Sequence, residues 1–599
     1  MLLRKGKRVF SRGVKEEGGV KTFRGGELSW SCGYPVLKLR GSYYKMGLQY
    51  GVLMEREIRG LYGKNNGKKE EVMEALPWYL RPAGSFIMAL VAGYSILRIP
   101  GRYRRELKGL SRGSGVPYMD MATTAFGGVV FDAACTSVLA RGDGRMLHSQ
   151  NLDFEPAYLG TFPVIVEYHH PGKLRYMHLG IAGVPGIFHG MNEKGISVTV
   201  NYGDGTYNSE NKGLPMGYKL REILERAETI DEVESIIRET GPDELGWIVT
   251  AASAAEKTGA VFDIFNGEIV RSQFNGSGPE FVLNNIFSPE RTGNTELSGK
   301  YLQISRGEGI YNLARSERIK TYMAEGRIST VDEMIDFLRD YDFYGYRKFC
   351  GSMNTTIVNE RTLHTIIFDH SGPAVYLSSA EGYSSLSEII RYDFNSGDVI
   401  TYRDAAPEFS SPGLRGFMEW YSSYQDVAIT GTVMEGISGR FRFIRFGKPD
   451  YSDVLKKADD DACRNPRELW SLFRLWKKRV GGVSGERLLN SCNCMTGNYP
   501  DFAILHIIKG NIENSLKQYT EAINSFEKAL QCGIISGYDR IHIYNDLVRL
   551  CFKNGMKEKA VKYAELNIDL IDALTERFSI GRNTGKIYER MKKYLERPD

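Results

Sequence analysis

FDAACTSVLARGDGRMLHSQNLDF, residues 131–154, reads as two short β runs around a Gly142–Asp143–Gly144 turn. The small pair Ala133–Ala134 precedes Cys135–Thr136–Ser137, and the second run ends in Gln150–Asn151–Leu152–Asp153. A hairpin of this length folds Asp153 back to the start of the first strand. A carboxylate then lies near the backbone nitrogen of Cys135. That geometry suits a nucleophile whose own α-amino group is the base. A thiol of pKa about 8.5 and an α-amine of about 7.7–8.0 are matched for proton transfer near neutrality. Such an amine exists only once the peptide before Cys135 is cut. A lone cysteine is also an ordinary packing residue, and the spacing alone leaves both readings open.

Outward from the hairpin, the chain reads as strands, then helices, then strands. PVIVEYHH, LRYMHLGIAG, GIFHGMN and GISVTVNYG are β-like; GYKLREILERAETIDEVESIIRET (217–240) is helical; WIVTAAS, AVFDIFNG and EFVLNN are β-like again. Residues 315–340 are helical, and TTIVNERTLHTIIFDHSGPAVYLS reads as a hairpin. This order predicts an α+β layered domain rather than a βαβ repeat. Upstream, PVLKLR alternates like a strand, and Gly41–Ser42 open a helix carrying Tyr44, Met46, Leu48, Val52 and Ile58.

The chain has 599 residues, about three or four units of ordinary size. Residues 1–33, rich in Gly and charge, read as a flexible basic arm. Residues 34–134 read as a segment preceding the nucleophile, 135–449 as the layered core and 450–599 as helical. Within the last part, Gly510, Tyr519, Ala522, Phe526 and Ala529 have tetratricopeptide-like spacing, with a poorer copy at Tyr544, Gly555, Ala560, Tyr563 and Ala564. Small residues there let paired helices approach, and such a surface suits a protein partner on 450–599.

Composition narrows the function. The net charge of +5 is carried within the first 30 residues, so the remainder is neutral and a global nucleic-acid surface is not expected. Eight scattered cysteines are too sparse for a disulfide scaffold and fit a reducing, cytoplasmic setting. Cys492 and Cys494 form a CxC without nearby His, and the adjacent His169–His170 point to opposite faces of a strand, so no metal site is expected. No secretory signal is visible in residues 1–30, and no phosphate-binding glycine motif, HExxH or GxSxG occurs. The longest uncharged run, 82–97, is sixteen residues, short of the roughly 20 of a membrane span. It reads as a core helix, with peripheral membrane contact or the lip of an acyl pocket as the other reading.

CTSVLARGDGRMLHSQNLDF (135–154) resembles the nucleophile hairpin of the N-terminal-nucleophile hydrolases, which self-cleave to expose Cys. The nearest branch is the isopenicillin-N acyltransferase-like family, with acid ceramidase and N-acylethanolamine acid amidase more distant. LKLRGSYYKMGLQYGVLMEREI, YRRELKGLSRGSGVPYMDM, GVPGIFHGMNEKGISVTVNYGDG, FVLNN and SERIKTYM are similar to further family stretches, in the same order. The resemblance covers roughly residues 35–400 and implies a four-layer αββα sandwich, followed here by an all-α tetratricopeptide-like region.

It also implies roles. Cys135 is the nucleophile and follows the scissile bond after Ala134. Asp153 holds the nucleophile's amine. Asn285, with Asn284 as the other register, donates to the oxyanion. Arg318, with Arg315 as rival, is a structural or catalytic arginine. Gln150, where the ceramidase-like branch has Arg, and Asn151 are expected to bind substrate; Asn192 and Asn201 could also line the site, but their turn and edge positions favour a structural role. The implied activity is that of a cysteine amidohydrolase or acyltransferase on an N-acyl amide or acyl thioester, without metal or organic cofactor. The rival is a degenerate hydrolase domain serving as a scaffold, with its helices holding a partner.

Overall fold

Among the described residues of the computed structural model, eighteen strands form two sheets. The structure describes residues 13–599 apart from 75, 77, 83–92, 94–95, 128–134, 143, 155–161, 208–209, 243, 266, 275–277, 284–307, 326–327, 343–354, 373, 441–449, 458–464, 481–482, 534, 576–581 and 597–599. The strands are β1 Lys15–Glu17, β2 Val20–Phe23, β3 Gly26–Ser31, β4 Tyr34–Arg40, β5 Thr136–Gly142, β6 Arg145–Asp153, β7 Pro163–His169, β8 Tyr176–Ile181, β9 His189–Asn192, β10 Ile196–Tyr207, β11 Leu245–Ser253, β12 Thr258–Phe265, β13 Glu268–Phe274, β14 Gly278–Leu283, β15 Thr362–Asp369, β16 Ala374–Ser379, β17 Ile389–Asp393 and β18 Val399–Arg403. One sheet runs β1-β2-β3-β4-β7-β8-β9-β10-β11-β12-β13, the other β14-β5-β6-β15-β16-β17-β18. Every pairing is antiparallel except β4 with β7.

The helices preceding the tail are α1 Tyr43–Leu53, α2 Glu55–Glu74, α3 Gly101–Ser114, α4 Tyr118–Gly127, α5 Met216–Arg226, α6 Ile230–Thr240, α7 Glu308–Glu325 and α8 Val331–Leu338. Residues alternate along each strand, so each sheet buries both faces. In the larger sheet, Val164, Val166, Val198 and Val200 join α1, α3, α5 and α6 in one core. Their neighbours Ile165, Met177 and Leu179 meet Ile366, Phe368 and Leu377 of the other sheet. Val138, Leu147 and Ile367 pack against Ile319, Met334 and Ile335 of α7 and α8. The result is helix, sheet, sheet, helix, as the resemblance implies.

α1 and α3 cross with almost no space between their backbones. A Cβ on Gly47 would lie 2.0 Å from the Glu106 carbonyl oxygen, and one on Gly109 2.2 Å from that of Tyr44. Gly51 and Gly113, one turn on, meet Leu110 and Leu48 equally closely. Beneath this crossing, Arg221 of α5 is buried between the rings of Tyr103 and Tyr168, with Glu106 at 2.7 Å and Glu225 at 3.6 Å.

Two expected boundaries move. Residues 15–31 are not part of a flexible arm: β1, β2 and β3 hydrogen-bond into the larger sheet, and Phe23 and Leu28 enter its core. The glycines at 18, 19 and 25 are turn residues with positive φ, so what reads as Gly-rich looseness is two hairpin turns. The helical unit starts before 450. It comprises α9 Pro412–Arg440, α10 Ser452–Lys457, α11 Pro466–Lys477, α12 Gly485–Asn498, α13 Ala503–Ser515, α14 Tyr519–Gln531, α15 Gly537–Lys553, α16 Lys557–Thr575 and α17 Arg582–Leu595. Leu414, Trp420 and Tyr421 of α9 share one core with Leu469 and Phe473 of α11, and with Val358 and Tyr383 from beside the smaller sheet. α13 pairs with α14, where a Cβ on Gly510 would touch the Phe526 ring at 2.9 Å; α15 pairs with α16.

No helix among the described residues is long and apolar enough to cross a membrane. The run 82–97 lies largely outside the described residues.

Candidate active site

β5 and β6 pair in the expected register, Thr136 opposite Asn151 and Ser137 opposite Gln150. Continued by two residues, this sets Asp153 beside the start of the Cys135 strand. Both residues are fully buried. The two faces of the hairpin do different work. Thr136, Asn151 and Asp153 face α7 and α8, whereas Ser137, His148 and Gln150 face the larger sheet.

Asp153 is gripped by three side chains. Arg315 Nη1 donates to Oδ2 at 3.1 Å, Asn359 Nδ2 to the same oxygen at 2.9 Å, and Thr362 Oγ1 to Oδ1 at 2.6 Å. Arg315 also donates to Thr136 Oγ1 at 3.4 Å and to Asn312 Oδ1 at 2.5 Å. Burial lifts the Asp153 carboxyl to about 6, against the pull of Arg315, Thr362, Asn359 and Arg361. Burial, with the Asp153 charge beside it, pushes the Cys135 thiol up to about 12; a hydrogen bond from the Asp153 backbone, Arg315 and Arg361 act the other way. Within the uncut chain this thiol is therefore protonated at neutral pH and needs a base to react.

Asn359 and Thr362 belong to a tight turn at the mouth of β15. The Asn359 N–H donates to Thr362 Oγ1, the Thr362 N–H returns to the Asn359 carbonyl, and the Arg361 carbonyl accepts from the Phe154 N–H. Each residue from Thr355 to Thr362 is buried. On the other face, Asn201 Nδ2 donates to the Cys135 carbonyl at 3.3 Å, and Ser137 Oγ donates to Asn201 Oδ1 at 2.6 Å. His148, His189, His364 and His370 are buried in this layer between the sheets, His178 is buried on the helix side of the larger sheet against Tyr168, and burial holds each below its ordinary pKa.

Of the two arginines weighed for the site, Arg315 is the one that reaches Asp153. Arg318, one turn on, is drawn to Asp340 at 2.5 Å and stacks over Tyr322, so the expectation for Arg318 is corrected. Gln150 and Asn151 also differ from expectation. Gln150 donates to the Val200 carbonyl at 2.6 Å and accepts from His189, while Asn151 donates to the carbonyls of Leu338 and Ile357. Both are fully buried and brace the hairpin, because both faces of the smaller sheet are covered. Ala134, Asn284 and Asn285 lie outside the described residues. Asn192 is structural: it donates to the Leu224 and Ala227 carbonyls. His169 bonds Glu167, and His170 packs against the Tyr43 ring. Among the described residues no group of His, Cys, Asp and Glu could hold a metal ion.

Sequence reasoning missed Asn359, Thr362 and Arg361. Their signal was a polar NERT cluster at the start of an otherwise apolar strand.

Residues 139–382 match the family model described as acyl-coenzyme A:6-aminopenicillanic acid acyl-transferase. Protein dcd1A of Dictyostelium discoideum is 26% identical over 226 residues, 33% of this chain and 51% of that protein. An uncharacterized protein of Archaeoglobus fulgidus is 22% identical over 267 residues, 38% of this chain and 43% of its own length. The chain thus spans about half the length of the curated relatives it matches. Among solved structures, a variant conjugated bile acid hydrolase of Clostridium perfringens is similar at 14% identity, over 45% of this chain and 98% of that one, with a TM-score of 0.30.

Proposed function

We propose, from the match of residues 139–382 to the acyl-coenzyme A:6-aminopenicillanic acid acyl-transferase family model and the resemblance of 135–154 to the N-terminal-nucleophile hairpin, that this chain is a cysteine amidohydrolase or acyltransferase activated by its own cleavage between Ala134 and Cys135. The observation that carries the reading is the buried Asp153 carboxylate, clamped by Arg315, Asn359 and Thr362 beside the start of the Cys135 strand. A fixed buried anion at that place orients a protonated amine.

In maturation, the Cys135 thiol adds to the Ala134 carbonyl, and the peptide C–N bond breaks as the acyl group shifts from nitrogen to sulfur. That shift frees the Cys135 α-amine; water then hydrolyses the thioester, giving the Ala134 carboxylate and returning the thiol. In turnover the amine takes the thiol proton, and sulfur attacks an amide or thioester carbonyl. Asn285 and a backbone N–H receive the developing oxyanion; loss of one such donor costs roughly 10²–10³ in rate. The ammonium returns its proton to the leaving group, Asp153 holding it in place. Water or a second amine then removes the acyl group from Cys135.

Intact mass spectrometry of the purified chain, followed by an electrophilic acyl probe, tests this. Fragments of about 15 and about 52 kDa that stay associated, with probe mass on Cys135, are expected. Cys135→Ala stays at 67.5 kDa and takes no probe. Full activity from an uncut chain overturns the mechanism.

A further inference from the structure

The turn that clamps Asp153 is itself held from outside by the helical unit. Glu360, between Asn359 and Arg361, is fully buried. Its carboxylate lies 3.4 Å from Arg467 Nε and accepts from Tyr383 Oη at 3.5 Å. Arg467 is the second residue of α11, whose start is fixed by Pro466 and by Asn465 capping the Glu468 N–H. Its Nη2 donates to Tyr421 Oη at 2.7 Å, and its guanidinium lies over the Tyr421 ring. Tyr421, on α9, is buried in the core that also takes in Val358 and Tyr383. A second strut backs the same turn: the Tyr383 N–H donates to the Asn359 carbonyl, and Gly382 at φ +105° abuts the Glu360 carbonyl so closely that a Cβ would lie 2.6 Å from it.

We propose that Arg467 is a positioning residue of the active site: by pairing with Glu360 it fixes the Asn359–Thr362 turn, and with it the two hydrogen bonds that orient Asp153. The inference rests on the reading of Cys135 and Asp153 as the reacting pair. Its physical ground is that breaking a buried ion pair favours protonation of the carboxylate or entry of water, and either displaces a tightly packed turn. A misplacement of about 1 Å near the chemistry costs roughly 10²-fold in rate. The helical unit is then a working part of the site, joined to the Asn359–Thr362 turn by this ion pair and by a shared core.

The experiment uses the full chain as Arg467→Lys, Arg467→Met, Glu360→Gln, and Glu360→Gln combined with Arg467→Met. Two rates are read at Cys135 by peptide mass across pH: acylation by p-nitrophenyl acetate and alkylation by iodoacetamide. Arg467→Met is expected to acylate roughly ten- to hundredfold more slowly and to shift the acid midpoint of both profiles upward, as Asp153 loses its donors. Arg467→Lys keeps most of the rate. Glu360→Gln in the Arg467→Met background recovers part of it, because the stranded charge is gone. Wild-type rates and midpoints in Arg467→Met, or no recovery in the double variant, overturn the proposal. If Arg467→Met fails to fold, Glu360→Gln decides it: losing the pair is expected to shift its midpoints upward, and unshifted midpoints overturn the proposal. A wild-type chain that is alkylated at Cys135 but never acylated defeats the proposed function, while the alkylation midpoints still read the Arg467 link.

Discussion

Arg315 sets its guanidinium 3.1 Å from the Asp153 carboxylate, and neither side chain has any solvent exposure. The pair spans α7 and β6, so it joins the outer helix layer to the nucleophile hairpin. Removing one partner of a buried pair leaves an uncompensated charge and costs about 3–5 kcal/mol. Arg315→Met is expected to lose stability on that scale in urea melts and to stop both chain cleavage and turnover. Arg318→Met, which uncovers the buried Asp340 away from Asp153, leaves cleavage intact. Equal cleavage in the two variants would reverse the assignment.

The acid limb of activity should report Asp153. Its carboxyl is raised to about 6, and the clamp works only when it is ionised, so the rate falls as pH drops below about 6. Thr362→Val deletes the 2.6 Å donor to Oδ1 and removes a force that lowers this pKa. The limb of Thr362→Val therefore moves to higher pH. A pH-rate profile on a short acyl substrate checks the direction.

Stability should fall steeply in acid for a separate reason. The buried histidines of the sandwich are held neutral by burial, His178 and His189 down to about 3 and His370 to about 4. Depressed pKa values contribute stability that is fully present above the unfolded value near 6.5. It is lost as pH falls, because the unfolded chain then binds protons the folded chain refuses. Each such histidine removes about 1.4 kcal/mol per pH unit below that point. Asp153 and Asp539, both raised to about 6, act the opposite way between about 4 and 6. The net expectation is a marked drop in unfolding free energy from pH 7 to 5, measured by denaturant titration; a flat profile would refute it.

The α1–α3 crossing predicts an abrupt intolerance. Gly47→Ala or Gly109→Ala puts a methyl group at 2.0 or 2.2 Å from a backbone oxygen of the other helix, where no rotamer offers relief. A loss of about 1–3 kcal/mol or more is expected from overpacking. Gly60→Ala, with open space around it, leaves the melting temperature unchanged or higher.

Much of this was readable from the chain because the signal was local. The β5–β6 hairpin, the facing of Cys135 and Asp153, and the helices at 217–240 follow from alternation, turn residues and period. Asn359 and Thr362 were not, since they reach Asp153 across more than 200 residues through the β6–β15 pairing, which no local pattern records. Arg315 and Arg318 lie one turn apart on α7, and only Asp340, from the end of α8, separates their roles. Gln150 and Asn151 were assigned by family position alone, while both faces of their strand are roofed and their side chains brace it.

The parallel pairing of β4 with β7 joins Val36 to Ile165 and Arg40 to His169, across the proposed cut. After cleavage that ladder is a seam between two molecules. Refolding of the mature protein then becomes a second-order reaction, dependent on concentration, where folding of the precursor was first-order. Heat or denaturant that parts the seam should inactivate the cut enzyme permanently at dilutions from which the uncut Cys135→Ala chain recovers its fold.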